Sequence, residues 1–140
     1  MKILILCTGN SCRSQMAHGF MKTIDSRLTI RSAGTRPEKQ VNPFAIQVMN
    51  ELGIDLSDHT PHLVDEYISE PWDYVITVCD NAKEVCPLFT GSVQHRLHIG
   101  FEDPADATGT DEEKLIVYRK IRDQIQFAFI EEFYKSLKLN

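Results

Sequence analysis

The chain has 140 residues, of which 42% are hydrophobic and 25% are charged, and this size and composition are typical of one globular domain. We therefore expect a single domain that spans residues 1–140. The net charge is −5, and the fifteen Lys and Arg residues are dispersed along the chain, which argues against a nucleic-acid-binding surface. Because no window reaches the roughly 18 apolar residues of a membrane span, we expect a cytoplasmic protein that does not contact membranes.

The first half of the chain predicts two strand–helix units. The apolar run 2-KILIL-6 is typical of a strand buried on both faces of a parallel sheet. Helical spacing begins at Ser14 and predicts a buried stripe made of Met16, Ala17, Phe20, Met21 and Ile24. Residues 28–34 predict a second strand. Asn42-Pro43 favours the start of a second helix that Gly53 ends, with a buried face made of Ala45, Val48, Met49 and Leu52.

The second half continues the alternation of strands and helices. We expect a short helix after Thr60-Pro61, a strong strand over 73–79, and a weaker strand over 93–99. A long final helix follows Gly109, and its apolar face comprises Leu115, Tyr118, Ile121, Ile125, Phe129, Phe133 and Leu137. This order predicts a doubly wound α/β domain with a central four-stranded parallel sheet flanked by helices. Such folds bind ligands at the carboxyl ends of their strands.

One loop, 7-CTGNSCR-13, follows directly from the first strand and precedes the first helix. Small residues in such a turn let successive backbone N–H groups converge on an anion, so we predict an oxyanion-binding loop made of Cys7, Thr8, Gly9, Asn10, Ser11, Cys12 and Arg13. The guanidinium of Arg13 would hold a tetrahedral oxyanion. The same N–H groups and the hydroxyl of Ser14 would lower the pKa of Cys7 and make it a nucleophile. The alternative is an ordinary turn around a buried cysteine.

These residues resemble a known family. The pattern C-x-G-N-x-C-R-S is similar to the signature of the low-molecular-weight tyrosine phosphatase fold. Phosphatases of that fold usually carry Pro where this chain has Gln15, and an aromatic residue where it has Ala105. The segments 7-CTGNSCRSQMA-17 and 100-GFEDPA-105 instead resemble the thioredoxin-coupled arsenate reductases.

The resemblance implies a mechanism and its residues. Arsenate would be the substrate, with phosphate or sulfate as competing oxyanions, and no cofactor would be needed. Cys7 would attack arsenic while Asp103 protonates the departing oxygen. Cys79 would then attack Cys7, and Cys86 would attack Cys79. Thioredoxin would finally reduce the resulting disulfide, although glutaredoxin or mycothiol remain alternatives.

The spacing of Cys79 and Cys86 has a consequence that does not depend on the resemblance. If 79-CDNAKEVC-86 were helical, the two thiols would be separated by a rise of about 10.5 Å. Because a disulfide needs Cα atoms within roughly 7 Å, oxidation would have to unwind the segment. We therefore expect a redox-dependent loss of helical circular dichroism.

Other interpretations of the cysteines and histidines stay open. Four cysteines suggest zinc, but the spacings C-x4-C and C-x6-C do not match a zinc knuckle, so we expect no metal. Cys12 would either pack beneath the loop or offer Cys7 a protective disulfide. Some relatives bind potassium through acidic residues where this chain has His18 and His62, so we expect that site to be lost. Asn10 and Ser32 do match its other positions.

Two further functions remain as alternatives to arsenate reduction. A low-molecular-weight phosphatase would use Cys7, Arg13 and Asp103 but would have no role for Cys79 and Cys86. A non-enzymatic, redox-responsive binding protein would use the segment 79–86 as a switch.

Overall fold

The computed structural model describes residues 1–79 and 89–139 of the chain. Its central feature is a sheet of four parallel strands in the order β2-β1-β3-β4. The strands are β1 (Lys2–Cys7), β2 (Thr29–Gly34), β3 (Trp72–Cys79) and β4 (Val93–Phe101). The predicted four-stranded parallel sheet is therefore confirmed.

Strand β1 lies inside the sheet and is buried on both faces. Its side chains alternate, so that Ile3 and Ile5 join the larger hydrophobic core, whereas Leu4 and Leu6 join a smaller core with Trp72. The first three of these β1 side chains have no exposed surface. This double burial explains why the strand is an unbroken apolar run rather than an alternating one. Strand β4 forms an edge of the sheet, and most of its side chains are exposed.

Three helices surround the larger core: α1 (Arg13–Ile24), α2 (Pro43–Asn50) and α3 (Asp111–Gln126). Asn42 caps α2 by accepting a 2.8 Å hydrogen bond from the N–H of Phe44. Thr110 and Glu113 form a capping box at the start of α3. The chain continues from α3 into a π-helix, Phe127–Tyr134, which keeps Phe129 and Phe133 buried. Within residues 1–79 and 89–139, no helix is long and apolar enough to cross a membrane.

The structure corrects three details of the predicted elements. The predicted short helix after Thr60-Pro61 is only a 3-10 turn, Val64–Glu66. Ile24 and Leu52 were expected on buried faces, but they are 38% and 42% exposed. Both lie where a helix is ending, and Leu52 falls beyond the last residue of α2. A periodic pattern indicates the buried side of a helix but does not indicate where the neighbouring core stops.

Candidate active site

The predicted oxyanion loop, residues 7–13, connects the carboxyl end of β1 to the first turn of α1. Four consecutive carbonyl oxygens of the loop accept hydrogen bonds from groups outside it. Three of the donors are backbone N–H groups: that of Arg36 donates to Thr8 at 2.9 Å, that of Glu38 to Gly9 at 2.8 Å, and that of Asn42 to Ser11 at 2.9 Å. The fourth donor is the side-chain Nε2 of Gln15, which donates to Asn10 at 3.1 Å.

This outward arrangement of carbonyl groups determines where the N–H groups point. The carbonyl and N–H of one trans peptide point in opposite directions, so the N–H groups of residues 9–12 turn toward the inside of the loop. One of them, the N–H of Asn10, donates to Cys7 Sγ at 3.1 Å. An array of inward N–H groups beside the start of a helix is an anion-binding arrangement.

Asn10 holds the tightest part of the loop in shape. Its φ of 51° lies in the left-handed region, which Asn tolerates better than most residues. Its side chain is fully buried and uses both ends of the amide. Nδ2 donates to Ser14 Oγ at 2.7 Å, and Oδ1 accepts from the N–H of His62 at 2.9 Å. The loop is thus fastened to α1 on one side and to the segment after α2 on the other.

Cys7 lies at the base of the loop and is only 6% exposed. A hydrogen bond from Cys79, the Ser14 hydroxyl at 2.9 Å, the Asn10 N–H and the charge of Arg13 together lower the pKa of Cys7 to about 6. Burial opposes this shift but does not overcome it. The sulfur is therefore a thiolate at neutral pH, as a nucleophilic cysteine requires.

Arg13 and Asp103 approach each other at the mouth of the loop. Arg13 Nη1 donates to the carbonyl of Phe101 at 3.1 Å, and Nη2 lies 3.4 Å from Asp103 Oδ2. The other carboxylate oxygen of Asp103 accepts from the N–H of Ala105 at 3.0 Å and caps the 3-10 turn Pro104–Asp106. A carboxyl group that is one-third exposed and held beside a guanidinium has the position that a general acid needs.

Cys79 ends β3, the strand that pairs with β1. It is 4% exposed, it contacts Thr8 Oγ1 at 3.6 Å, and it hydrogen-bonds to the side chain of Cys7. Cys7, Cys12 and Cys79 are all free cysteines, since none of them is joined in a disulfide. The structure thus brings two of the three predicted relay cysteines together. The third, Cys86, lies outside the described residues, as does the predicted unwinding of 79–86.

The side chain of Cys12 lies against Tyr118 of α3. It is 4% exposed, and its sulfur lies 3.9 Å from Tyr118 Oη and 3.8 Å from Ser11 Oγ. Burial raises the pKa of Cys12 to about 11, so its thiol keeps its proton where the thiol of Cys7 does not. This placement favours the interpretation that Cys12 packs beneath the loop.

The sequence motifs did not indicate the contacts of two residues near the loop, Gln15 and His59, and Gln15 stood out only as a departure from the phosphatase pattern. Gln15 is 1% exposed, and its Oε1 lies 2.9 Å from Nδ1 of His59. Its Nε2 donates to the carbonyl of Asn10, as described above, and to that of Thr60 at 3.4 Å. His59 is 44 residues away in the sequence, and no local pattern indicated this contact.

A cavity of about 470 Å³ is lined by residues of α1, of β2 and of the segment 58–62, among them three histidines, Ser32 and Gln15. His18 Nδ1 hydrogen-bonds to Ser32 Oγ at 2.8 Å, and its ring lies 4.7 Å from that of His59. Burial, with the positive charges nearby, lowers the pKa of His18 to about 3, so its ring is neutral. No group of three or more His, Cys, Asp or Glu side chains in residues 1–79 and 89–139 is arranged to hold a metal ion.

Comparisons with known proteins agree with this geometry. The family model described as low molecular weight phosphotyrosine protein phosphatase matches residues 2–140. A relative from Halalkalibacterium halodurans named arsenate reductase is 48% identical over 124 residues, which is 88% of each chain. A solved structure of an arsenate reductase in the phosphate binding state has a TM-score of 0.78 at 31% identity, covering 96% of this chain and 97% of that one. The thioredoxin-dependent arsenate reductase of Corynebacterium glutamicum has a TM-score of 0.65 at 26% identity, covering 98% of this chain and 61% of that one.

Proposed function

Because the chain belongs to the low molecular weight phosphotyrosine protein phosphatase family, and within it to the arsenate reductases, we propose that it reduces arsenate to arsenite through Cys7, Cys79 and Cys86. Thioredoxin would return the protein to its dithiol form, and the reaction would serve arsenic detoxification. The observation that carries the proposal is the pair of free cysteines at neighbouring strand ends, Cys7 in the oxyanion loop and Cys79 hydrogen-bonded to it.

The first step uses the loop as a phosphatase would. Arsenate has the shape and charge of phosphate, so the inward N–H groups and Arg13 would bind its oxygens. The thiolate of Cys7 attacks arsenic, forming a sulfur–arsenic bond. One arsenate oxygen departs as water, with Asp103 donating the proton. Arsenic is still in its +5 state after this step.

The second step carries the two electrons. Cys79 gives up its thiol proton to an oxygen of the arsenic adduct, and the resulting thiolate attacks Cys7 Sγ. The sulfur–arsenic bond breaks, and its electron pair stays on arsenic as arsenite. The products are arsenite and a Cys7–Cys79 disulfide. The hydrogen bond between the two side chains supports this step, because it already brings the two sulfurs together.

The last steps restore Cys7. Cys86 attacks Cys79, which releases Cys7 as a thiolate and moves the disulfide to Cys79 and Cys86. A thioredoxin dithiol then reduces that disulfide and becomes oxidised itself. Support for thioredoxin comes from the relative of Corynebacterium glutamicum, which is a thioredoxin-dependent arsenate reductase. A relay of this kind needs a reducing compartment, so the proposal places the chain, as one domain, in the cytoplasm.

Phosphatase activity is the second candidate, and the matching family model favours it. Cys7, Arg13 and Asp103 suffice for hydrolysis of a phosphate monoester. However, Ala105 follows Asp103-Pro104 where the resemblance leads us to expect an aromatic residue in phosphatases. We therefore expect at most weak hydrolysis of p-nitrophenyl phosphate.

The test is arsenate-dependent oxidation of NADPH in the presence of thioredoxin and thioredoxin reductase. Wild type is compared with Cys7→Ser, Cys79→Ser and Cys86→Ser, and p-nitrophenyl phosphate hydrolysis is followed in parallel. We expect all three substitutions to abolish arsenate turnover, and only Cys7→Ser to abolish hydrolysis. Full arsenate turnover by Cys79→Ser or Cys86→Ser would overturn the relay. Rapid hydrolysis without arsenate turnover would identify a phosphatase. Absence of both activities in the wild type, together with partner-dependent binding, would favour a redox-responsive binding protein.

A further inference from the structure

We propose that Gln15, oriented by His59, is a positioning residue that holds the peptide between Asn10 and Ser11 with its N–H turned into the oxyanion loop. The inference rests on the proposed function of that loop. Three of the four outward carbonyls, those of Thr8, Gly9 and Ser11, are held by backbone N–H groups of residues 36–42. The carbonyl of Asn10 is the exception, because a side chain holds it.

This carbonyl belongs to a peptide next to a strained backbone conformation. Asn10 has a positive φ, and a residue other than glycine adopts that conformation at a cost in free energy. Rotating the Asn10–Ser11 peptide would point its carbonyl toward the bound oxyanion and its N–H away. The exchange would replace an attraction by a repulsion between negative oxygens. The hydrogen bond from Gln15 Nε2, 3.1 Å long and buried, opposes that rotation.

The carboxamide of Gln15 can do this only in one orientation. Its Nε2 donates to two carbonyls, those of Asn10 and Thr60, so its Oε1 faces His59. An amide oxygen only accepts hydrogen bonds, and Nδ1 of His59 must therefore be the donor. The neutral ring is fixed as the Nδ1–H tautomer, and the charged ring carries the same proton. His59 consequently supports Gln15 in either protonation state.

Burial makes the arrangement hard to replace. Gln15 is 1% exposed, so water cannot readily take over its hydrogen bonds to Asn10 and His59. A proline at position 15, as the resembled phosphatases carry, would have no side-chain donor for the Asn10 carbonyl. The arrangement is thus a feature in which this chain departs from the phosphatase pattern.

The experiment measures binding of inorganic phosphate to the reduced protein by isothermal titration calorimetry. The variants are Gln15→Met, which keeps the side-chain length without a donor, His59→Leu, which removes the donor to Gln15, and His59→Asn, whose Nδ2 can take the place of Nδ1. His18→Leu is the matched control, because it removes a ring from the same cavity, and Nδ1 of that ring hydrogen-bonds to Ser32 rather than to Gln15.

We expect Gln15→Met and His59→Leu each to weaken phosphate binding by about fivefold, the loss expected of one hydrogen bond. His59→Asn and His18→Leu should bind within a factor of about two of wild type. In steady-state kinetics, KM for arsenate should rise by the same factor while kcat stays nearly unchanged, because the lost N–H holds the oxyanion before and during reaction alike. Rescue by Asn at position 59 separates this role from a general loss of packing.

Each outcome has a separate meaning. Unchanged phosphate affinity in Gln15→Met, or equal losses in His59→Leu and His59→Asn, would overturn the positioning role. Failure of the wild type to bind phosphate would instead overturn the proposed function of the loop. If Gln15→Met does not fold, as thermal denaturation would reveal, the two His59 variants still decide the question, because that side chain is partly exposed.

Discussion

Removing the hydroxyl of Ser14 should raise the pKa of Cys7 substantially. Ser14 Oγ lies 2.9 Å from Cys7 Sγ and is itself held at 2.7 Å by Asn10 Nδ2, so it is oriented to donate its proton to the sulfur. A hydrogen bond to a charged group contributes ~1.5–3 kcal/mol. At 1.36 kcal/mol per pKa unit, Ser14→Ala should raise the pKa of Cys7 by about one to two units. The wild-type value of about 6 would thus become roughly 7 to 8.

The assay is the pH dependence of alkylation of reduced protein by iodoacetamide, with mass spectrometry to follow each cysteine. Cys7 and Cys12 share one tryptic peptide, so fragment ions are needed to separate them. Ser11→Ala is the matched control, because the Ser11 hydroxyl contacts Cys12 and not Cys7. We expect the alkylation midpoint of Cys7 to move in Ser14→Ala and to stay in place in Ser11→Ala.

Two results would refute this reasoning. A wild-type midpoint near 9, the ordinary value for a thiol, would show that the loop does not stabilise the thiolate. A wild-type midpoint near 6 that does not move in Ser14→Ala would show that Cys79, Asn10 and Arg13 are sufficient without the hydroxyl. Thermal denaturation of Ser14→Ala checks that the loop is folded, since Asn10 Nδ2 loses a buried acceptor in that variant.

Three further predictions follow from the same region. The pKa of Cys7 is lower in the folded than in the unfolded chain, so the unfolded state binds more protons between pH 6 and pH 9. The free energy of unfolding of wild type, relative to that of Cys7→Ser, should therefore rise across that range. This additional stability should disappear as the pH falls through 6, and a difference in urea titrations that does not change with pH would contradict the prediction. In Gly34→Ala, the new methyl group would overlap the backbone oxygen of Thr8, so the loop must shift. Phosphate affinity measured by calorimetry should fall by about tenfold or more, and wild-type affinity would refute the close approach. Because His18 and His62 replace the acidic residues of the resembled potassium site, exchanging KCl for NaCl should leave phosphate affinity unchanged, and a potassium-dependent increase would show that the site survives.

The local elements were largely predictable because short-range rules decide them. The apolar run at the start of the chain, the Asn42-Pro43 cap and the capping box of α3 each act within a few residues. Gly53 ends the second helical segment with a φ of 75°, as its predicted role requires. Strand β4 runs to Phe101 rather than to 99, because Phe101 still pairs with Cys79 after a shift in register.

The prediction of a short helix after Thr60-Pro61 was wrong because this segment bonds to residues that are distant in the sequence. Its region forms only a 3-10 turn, in which Glu66 accepts a 3.0 Å hydrogen bond from the N–H of Leu63. The backbone just before this turn has another partner, since the N–H of His62 donates to Asn10 and its carbonyl accepts from Gly34. Contacts to the loop and to β2 thus compete with helix formation, and a propensity argument does not include them.

The candidate site likewise has one part that the sequence identifies and another part that only the tertiary structure decides. The loop between β1 and α1, with Cys7, Arg13 and Ser14, could be identified from the sequence because strand, turn and helix succeed one another within a few residues and dictate the direction of the backbone N–H groups. The tertiary structure alone decided which distant groups complete it. Thr8 and Cys79 are 71 residues apart, and Gln15 and His59 are 44 apart, yet both pairs are in contact. Such pairs meet because parallel strands align their carboxyl ends at one edge of the sheet and the connecting segments return to it, and this depends on the packing of the whole chain rather than on any local pattern.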